Sequence, residues 1–148
     1  MKIGLALLLA VTAAVGAGCG DHDDTAFLRA QEECYEKDRR ESNRLAEETG
    51  PLLAPHVRST LEAGSGCDSV LEGGAWITYD LDPGVSPRAA LKKFHSAGWA
   101  DLPQPIEHCA DLCVAGVGKK VGDRDIVVTV QEFDGGPRVL EALFMDKG

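Results

Sequence analysis

Aromatic side chains and basic residues are both scarce in this chain of 148 residues. Phe, Trp and Tyr make up 5% of the sequence, and 15 Lys and Arg stand against 24 Asp and Glu, which gives a formal charge of −9. The few aromatic rings argue against a stacking surface for bases or sugars. The acidic balance argues against a protein that holds nucleic acid or an anionic membrane through bulk charge. The composition predicts a small acidic domain with no nucleic acid partner.

Catalytic motifs are also missing from the sequence. It contains no glycine-rich phosphate loop, no GxSxG elbow, no HExxH helix and no dinucleotide fingerprint. The histidines offer no substitute, because neither His56 nor His95 has a serine, cysteine or carboxylate at a spacing that suggests a triad. We therefore predict a non-catalytic protein with no cofactor and no metal ligands.

The first eighteen residues have the pattern of a secretory signal peptide. Lys2 is the only charged residue before Asp21, and an apolar run over residues 3–15 is followed by small residues at 16–18. A positive start, an apolar core of about a dozen residues and a small-residue exit are typical of a cleaved export signal. The run is shorter than the roughly 20 residues of a membrane-spanning helix. We expect residues 1–18 to be removed on export.

Cys19 directly follows this segment, in surroundings that resemble the lipobox of bacterial lipoproteins. The resemblance covers residues 15–19, with Gly-Ala-Gly before the cysteine and polar residues after it. It implies that the Cys19 thiol receives a diacylglycerol and that the protein is anchored to the extracytoplasmic face of the cell membrane. Residues 19–24 then comprise the lipidated cysteine and an acidic tether. Ordinary signal-peptidase cleavage without lipid is the alternative.

The other four cysteines form an even set once Cys19 is assigned to lipid. An even number in an exported chain predicts two disulfides, for which three connectivities exist. We favour Cys34–Cys67, which closes about 33 residues and contributes about 3–4 kcal/mol. The second favoured pair is Cys109–Cys113, whose members are neighbours on a helical turn. On an extended strand they would lie roughly 13 Å apart, beyond the reach of a disulfide.

Cys109 and Cys113 also allow a different chemistry. A Cys-x3-Cys pair with a histidine, here His108, is similar to the ligand set of Sco-type copper chaperones. In that family the cysteines open a helix of a thioredoxin-like fold, whereas here they follow a loop containing Pro103 and Pro105. The alternative function is therefore a metal or thiol-redox accessory protein that uses Cys109, Cys113 and His108.

Sequence patterning divides the mature chain into a helical region and a sheet region. Residues 25–49 contain no Gly or Pro and predict a long helix that ends at Gly50-Pro51. Apolar residues at helical spacing within 53–61 predict a second, shorter helix. The predicted helical region spans residues 25–66, and residues 67–148 form the sheet region of the same domain.

The sheet region predicts a β-α-β-β-β unit. Alternation over residues 75–81 indicates a strand, and Ser86-Pro87 supplies the N-cap and first residue of a helix that ends at Ala97. Two tight turns separate three further strands, at residues 112–121, 126–133 and 139–145. Consecutive strands joined by tight turns form an antiparallel meander. The predicted fold class is α+β, with N-terminal helices before this unit.

The region from Trp76 onward resembles small lipoproteins of actinobacteria. The resemblance rests on the order of a strand, a helix opened by Ser86-Pro87, a Gly98-Trp99 pair and a meander. It implies the same location and no particular activity. We expect a lipid-anchored cell-envelope protein whose domain binds another envelope protein or a small ligand.

Overall fold

The structure is a computed structural model that describes residues 21–53, 55, 62–70, 73–106, 109, 112–134 and 136–145, with side chains from residue 24 onward. Its elements in chain order are α1 (Asp21–Leu53), β1 (Glu62–Ser65), β2 (Ala75–Asp80), α2 (Pro87–Ser96), β3 (Ala100–Asp101), β4 (Cys113–Val121), β5 (Arg124–Glu132) and β6 (Arg138–Met145). Within those ranges the strands form one antiparallel sheet of order β1-β2-β6-β5-β4-β3. The α+β class is confirmed.

Strands β4, β5 and β6 form the predicted antiparallel meander. Helix α2 carries the chain from β2 across the sheet to the β4 side, and the meander then returns until β6 pairs with β2. The pairing Thr78↔Glu141 belongs to this last contact. The two-residue strand β3 was not predicted, because two residues are too short to show an alternating pattern.

One face of the sheet forms the core against both helices. Side chains alternate between the two faces of a strand. On the covered face, Ile77 of β2, Val128 of β5 and Leu140 of β6 are fully buried. From α2, Ala90, Leu91 and Phe94 join this core. Ala97, the predicted end of the helix, is its exposed C-cap residue and takes no part in the core.

The ends of α2 form as the sequence predicts. The Ala89 N–H donates to Ser86 Oγ at 3.2 Å, which caps the helix, and Pro87 occupies its first position. Trp99 follows the helix and packs edge-on against Phe94 with 5.1 Å between ring centroids. These contacts hold α2 on the core.

Helix α1 is longer than predicted at both ends. It begins at Asp21, so residues 21–24 of the predicted tether are helical, and it continues through Gly50-Pro51 to Leu53. A proline inside a helix removes one hydrogen bond and crowds the preceding turn. The last turn persists because Leu53 is buried in the core, and burial of a leucine side chain stabilises by about 2 kcal/mol.

The predicted helical region 25–66 is wrong at its C-terminal end, where Glu62–Ser65 forms the edge strand β1. The second helix predicted at 53–61 falls mostly outside the described residues, at 54 and 56–61. Gly64 in this strand pairs with Trp76 across the sheet, and the indole covers its α-carbon. A glycine at this position leaves room for the ring.

Candidate functional site

Cys19, the predicted lipidation site, lies outside the described residues, so the structure leaves the prediction of a lipid anchor untested. The described chain starts two residues later, where α1 begins at Asp21. Among the residues that the structure describes, no helix is both long and apolar enough to cross a membrane.

The other four cysteines are joined in the two favoured pairs, and the predicted presence of disulfides is confirmed. Cys34 and Cys67 lie 5.9 Å apart between α-carbons, are both buried, and link α1 to the loop after β1. Cys109 and Cys113 lie 5.6 Å apart between α-carbons and are half-buried. Cys109 has 3₁₀-helical conformation, which brings it back towards the first residue of β4.

The two cysteines of the alternative metal or thiol-redox hypothesis are therefore bonded to each other. A thiolate, and not a disulfide sulfur, is the nucleophile and metal ligand of cysteine chemistry. With Cys109 and Cys113 bonded to each other, neither provides one. His108, the third member of that site, lies outside the described residues.

A buried carboxylate sits beside the other disulfide and was not singled out from the sequence. Asp38 is 1% exposed, and its Oδ2 accepts a hydrogen bond from Ser65 Oγ at 2.6 Å. The Gly74 N–H donates to both carboxylate oxygens at 3.1 and 3.2 Å, and Cys67 Sγ lies 3.2 Å from Oδ2. The only signal in the sequence was its position four residues after Cys34, on the same helical face.

Gly73 allows this cluster to close. Its φ of +68° lies in the left-handed region, and a Cβ there would be 2.7–2.8 Å from Cys34 Sγ, Asp38 Oδ2 and Cys67 Sγ. Two sulfurs and a carboxylate oxygen are metal-ligand atom types, and the three lie within 4.8 Å of one another. Since the sulfurs share a disulfide, the arrangement acts instead as a clamp that ties α1 to β1 and the 66–74 loop.

The face of the sheet opposite the helices carries an apolar strip. Trp76 on β2, Leu143 on β6 and Val127 on β5 are register neighbours and point away from the helical layer. A loop over residues 102–106 covers part of this face. Its Leu102 and Ile106 side chains approach Gly116 so closely that a Cβ there would lie 2.9 Å from each.

A groove runs between this loop and the sheet. Its volume is about 520 Å³, and apolar side chains line it except for one glutamine: Leu102, Pro103, Gln104, Pro105, Ile106, Val127 and Met145. A smaller hollow of about 300 Å³ lies further along the same face, at Trp76 and Leu143. Small-molecule sites in proteins are mostly apolar hollows of about 300–1,000 Å³. The groove has the size and lining of such a site.

A histidine–carboxylate pair is the second polar feature that the sequence did not reveal. His95 Nε2 lies 2.8 Å from Asp101 Oδ1, because the Gly98-Trp99 turn folds β3 back beside α2. Ser86 and Ser96 line the same surface hollow as His95 but bond elsewhere: Ser86 Oγ accepts from the Ala89 N–H, and Ser96 Oγ donates to the Lys92 carbonyl. The pair is exposed and joins α2 to the sheet edge.

Comparison with known proteins adds no assignment to this geometry. The chain matches no protein-family model, no curated protein and no solved structure. The function is therefore inferred from the chain's own residues.

Proposed function

We propose that this chain is a lipid-anchored protein of the cell envelope whose domain binds a small, largely apolar ligand without catalysis. The ligand occupies the groove between the 102–106 loop and strand β5. The observation that carries the binding proposal is this apolar groove on the sheet face that the helices leave uncovered.

The proposed location rests on how the cysteines are used. The pattern of residues 1–18 is that of an export signal, and Cys19 follows it directly. Every later cysteine is paired in the structure, in Cys34–Cys67 and Cys109–Cys113. Disulfides persist in exported proteins and are rare in the cytosol, so the pairing supports export.

Metabolic labelling with an alkyne fatty acid tests the lipid anchor. We expect the label to appear on the chain and the chain to fractionate with membranes, and both to be lost in Cys19→Ala. His22→Ala, which lies outside residues 1–19, is the matched control and keeps the label. Absence of label, or label that persists in Cys19→Ala, contradicts the proposed anchor and leaves the binding groove to be judged separately.

The groove is preformed, which favours binding. The Leu102 N–H donates to the Gly116 carbonyl at 3.0 Å, so the start of the loop is held to β4. Pro103 and Pro105 restrict the backbone that forms one wall. A rigid wall loses little conformational entropy when a ligand binds, so more of the contact energy appears as affinity.

Titration with the apolar fluorophore 1-anilinonaphthalene-8-sulfonate tests the groove. We expect saturable binding to the folded chain, and at least about tenfold weaker binding in Met145→Glu, because a carboxylate at the groove rim must be desolvated. Phe133→Glu is the control, since Phe133 is 39% exposed beyond the far end of β5. Circular dichroism confirms that both variants fold.

Two results contradict a small-ligand groove. One is no saturable binding to the folded chain, and the other is equal binding by Met145→Glu and Phe133→Glu. A photocrosslinker placed at Trp76 that captures one envelope protein reproducibly, with no fluorophore binding, would replace the small ligand with a protein partner on the same face.

A further inference from the structure

The start of α1, before Cys34, extends away from the domain, and we call residues 21–39 of the helix the arm. From Cys34 onward the helix buries a residue about every four positions, but before it the large apolar side chains are exposed, with Phe27 at 52% and Leu28 at 62%. An isolated helix of about a dozen residues is marginal in water. An apolar face on such an arm is stabilised when a second surface covers it.

The exposed side of the arm forms a shallow groove along the helix. Its volume is about 340 Å³, and its lining comprises Leu28, Gln31, Glu32, Tyr35, Glu36 and Arg39. Asp24 lies one turn before Leu28 and is also exposed. Residues 24, 28, 31, 35 and 39 are spaced by three or four, so they share one side of the helix.

Four residues of this row face complementary residues when a second copy of the helix runs antiparallel to the first. About a two-fold axis between residues 31 and 32, Asp24 comes opposite Arg39 of a second copy, and Leu28 comes opposite Tyr35. Two-fold symmetry repeats each contact, so the pair contains two Asp24–Arg39 contacts and two Leu28–Tyr35 contacts. Arg39 is available for this pairing, because its contact with Glu36 is long at 3.9 Å and its side chain is 72% exposed.

We propose that two copies of the chain associate through an antiparallel pairing of their α1 arms along this groove. The Tyr35 hydroxyl bonds to Asp68, which fixes the ring at the edge of the groove before the second copy arrives. A preoriented aromatic side chain loses little entropy on contact. The occupant is a second copy because, in the antiparallel arrangement, Asp24 comes opposite Arg39 and Asp23 comes opposite Arg40.

A membrane surface suits the arm less well. Its first residues include Asp21, Asp23 and Asp24, which an anionic leaflet repels. The same aspartates lie opposite the segment that contains Arg39 and Arg40 when a second copy is antiparallel. The inference is independent of the ligand groove on the sheet and of the lipid on Cys19.

Charge exchange at Asp24 and Arg39 tests the pairing by sedimentation equilibrium. The chain is purified with Cys19→Ser and without residues 1–18, so that neither a lipid nor the apolar signal segment drives association. We expect a reversible dimer, at least about tenfold weaker in Asp24→Lys and in Arg39→Glu, since each change turns two attractions into two repulsions. The double variant restores the original dimer affinity.

Glu47→Lys is the matched control. It changes the net charge as Asp24→Lys does, on an exposed part of the same helix outside the groove, and we expect the dimer affinity to stay unchanged. Circular dichroism and intact disulfides show that each variant is folded. A monomer at every concentration overturns the proposal, and so does a dimer that survives both single reversals or that the double variant fails to restore.

Crosslinking locates the symmetry axis independently. Gln31→Cys places the one free thiol beside the proposed axis, so we expect a short bis-maleimide to join two copies efficiently. Glu47→Cys places the free thiol far from the axis, and we expect no crosslink above the collisional level. Equal crosslinking at the two positions contradicts the antiparallel arrangement, and vesicle binding by a monomeric chain would assign the arm to a membrane instead.

Discussion

The two faces of the sheet are covered by very different parts of the chain. In β5, Ile126 to Gln131 are all buried, although alternate residues point to opposite faces. One face is packed by the helices α1 and α2. The other has only the 102–106 loop, and beyond it Trp76 stays 36% exposed. The central strand β5 is therefore buried on both faces, although Thr129 and Gln131 on the outer face are polar, and the incomplete cover of that face leaves the groove.

Each cover is held near a disulfide, and the two bonds differ in what they constrain. Cys34–Cys67 ties the long helix α1 to the loop after β1 and spans 33 positions of the chain. Cys109–Cys113 closes the end of the 102–106 loop region onto β4 and spans 4. The chain entropy removed from the unfolded state grows with the length of the closed loop. We therefore expect Cys34–Cys67, on the helix-covered face, to contribute more to the free energy of unfolding than Cys109–Cys113 does.

The largest expected effect is the loss of Cys34–Cys67. Replacing both cysteines by serine should lower the free energy of unfolding by about 4 kcal/mol, whereas Cys109→Ser with Cys113→Ser should cost about 2 kcal/mol in the chain-entropy model. Urea unfolding monitored by circular dichroism measures both. Equal losses of unfolding free energy in the two double variants would contradict the proposed difference between the two disulfides.

A leucine pair on β6 gives the next largest effect. Leu140→Ala removes a fully buried side chain from the covered face and should cost about 3 kcal/mol, because a cavity remains. Leu143→Ala truncates a half-buried side chain on the other face and should cost about 1 kcal/mol. Chemical denaturation compares them. If Leu143→Ala costs as much as Leu140→Ala, the outer face is covered more fully than the structure indicates.

The smallest effect concerns a buried phenol on the covered face. Burial raises the pKa of Tyr79 above its ordinary value, and the hydrogen bond with Thr49 Oγ1 at 3.3 Å opposes part of that rise. Because the unfolded chain loses this proton at lower pH than the folded chain, stability is complete below about pH 10 and falls as the pH rises towards the folded pKa.

Tyr79→Phe should therefore reduce the loss of stability between pH 9 and pH 11. Urea midpoints at the two pH values measure the difference. Tyr35→Phe is the comparison at an exposed phenol, whose pKa is raised mainly by its hydrogen bond to Asp68. Because solvent screens this exposed contact, we expect Tyr35→Phe to change the alkaline loss of stability less than Tyr79→Phe does. An unchanged alkaline slope in Tyr79→Phe would show that the buried phenol does not govern it.

Local patterns predicted the elements whose signals lie within a few residues. Alternation identified β2, the Ser86-Pro87 cap identified α2, and tight turns identified the meander. The edge strands β1 and β3 escaped, because four and two residues carry too little pattern and form only by pairing with a neighbouring strand. The predicted end of α1 at Gly50-Pro51 is wrong, because packing of Leu53 outweighs the local effect of Pro51.

The polar contacts of the candidate sites depended on residues distant in the chain. Asp38 interrupts a helical apolar face, and only the approach of Ser65 and Gly74 makes burial of its carboxylate favourable. His95 and Asp101 meet because a turn reverses the chain between them. No spacing rule predicts either contact.

The types of the main elements, the even set of four cysteines after Cys19 and the acidic charge can all be read from the sequence, since they follow from residues close together or from counts. Three features depend on the folded chain: which face of the sheet the helices cover, where the loop of residues 102–106 leaves a groove, and the projection of the start of α1 from the domain. Those features depend on non-local packing, in which one apolar strand face and one helix stripe cover each other and the remaining faces stay open.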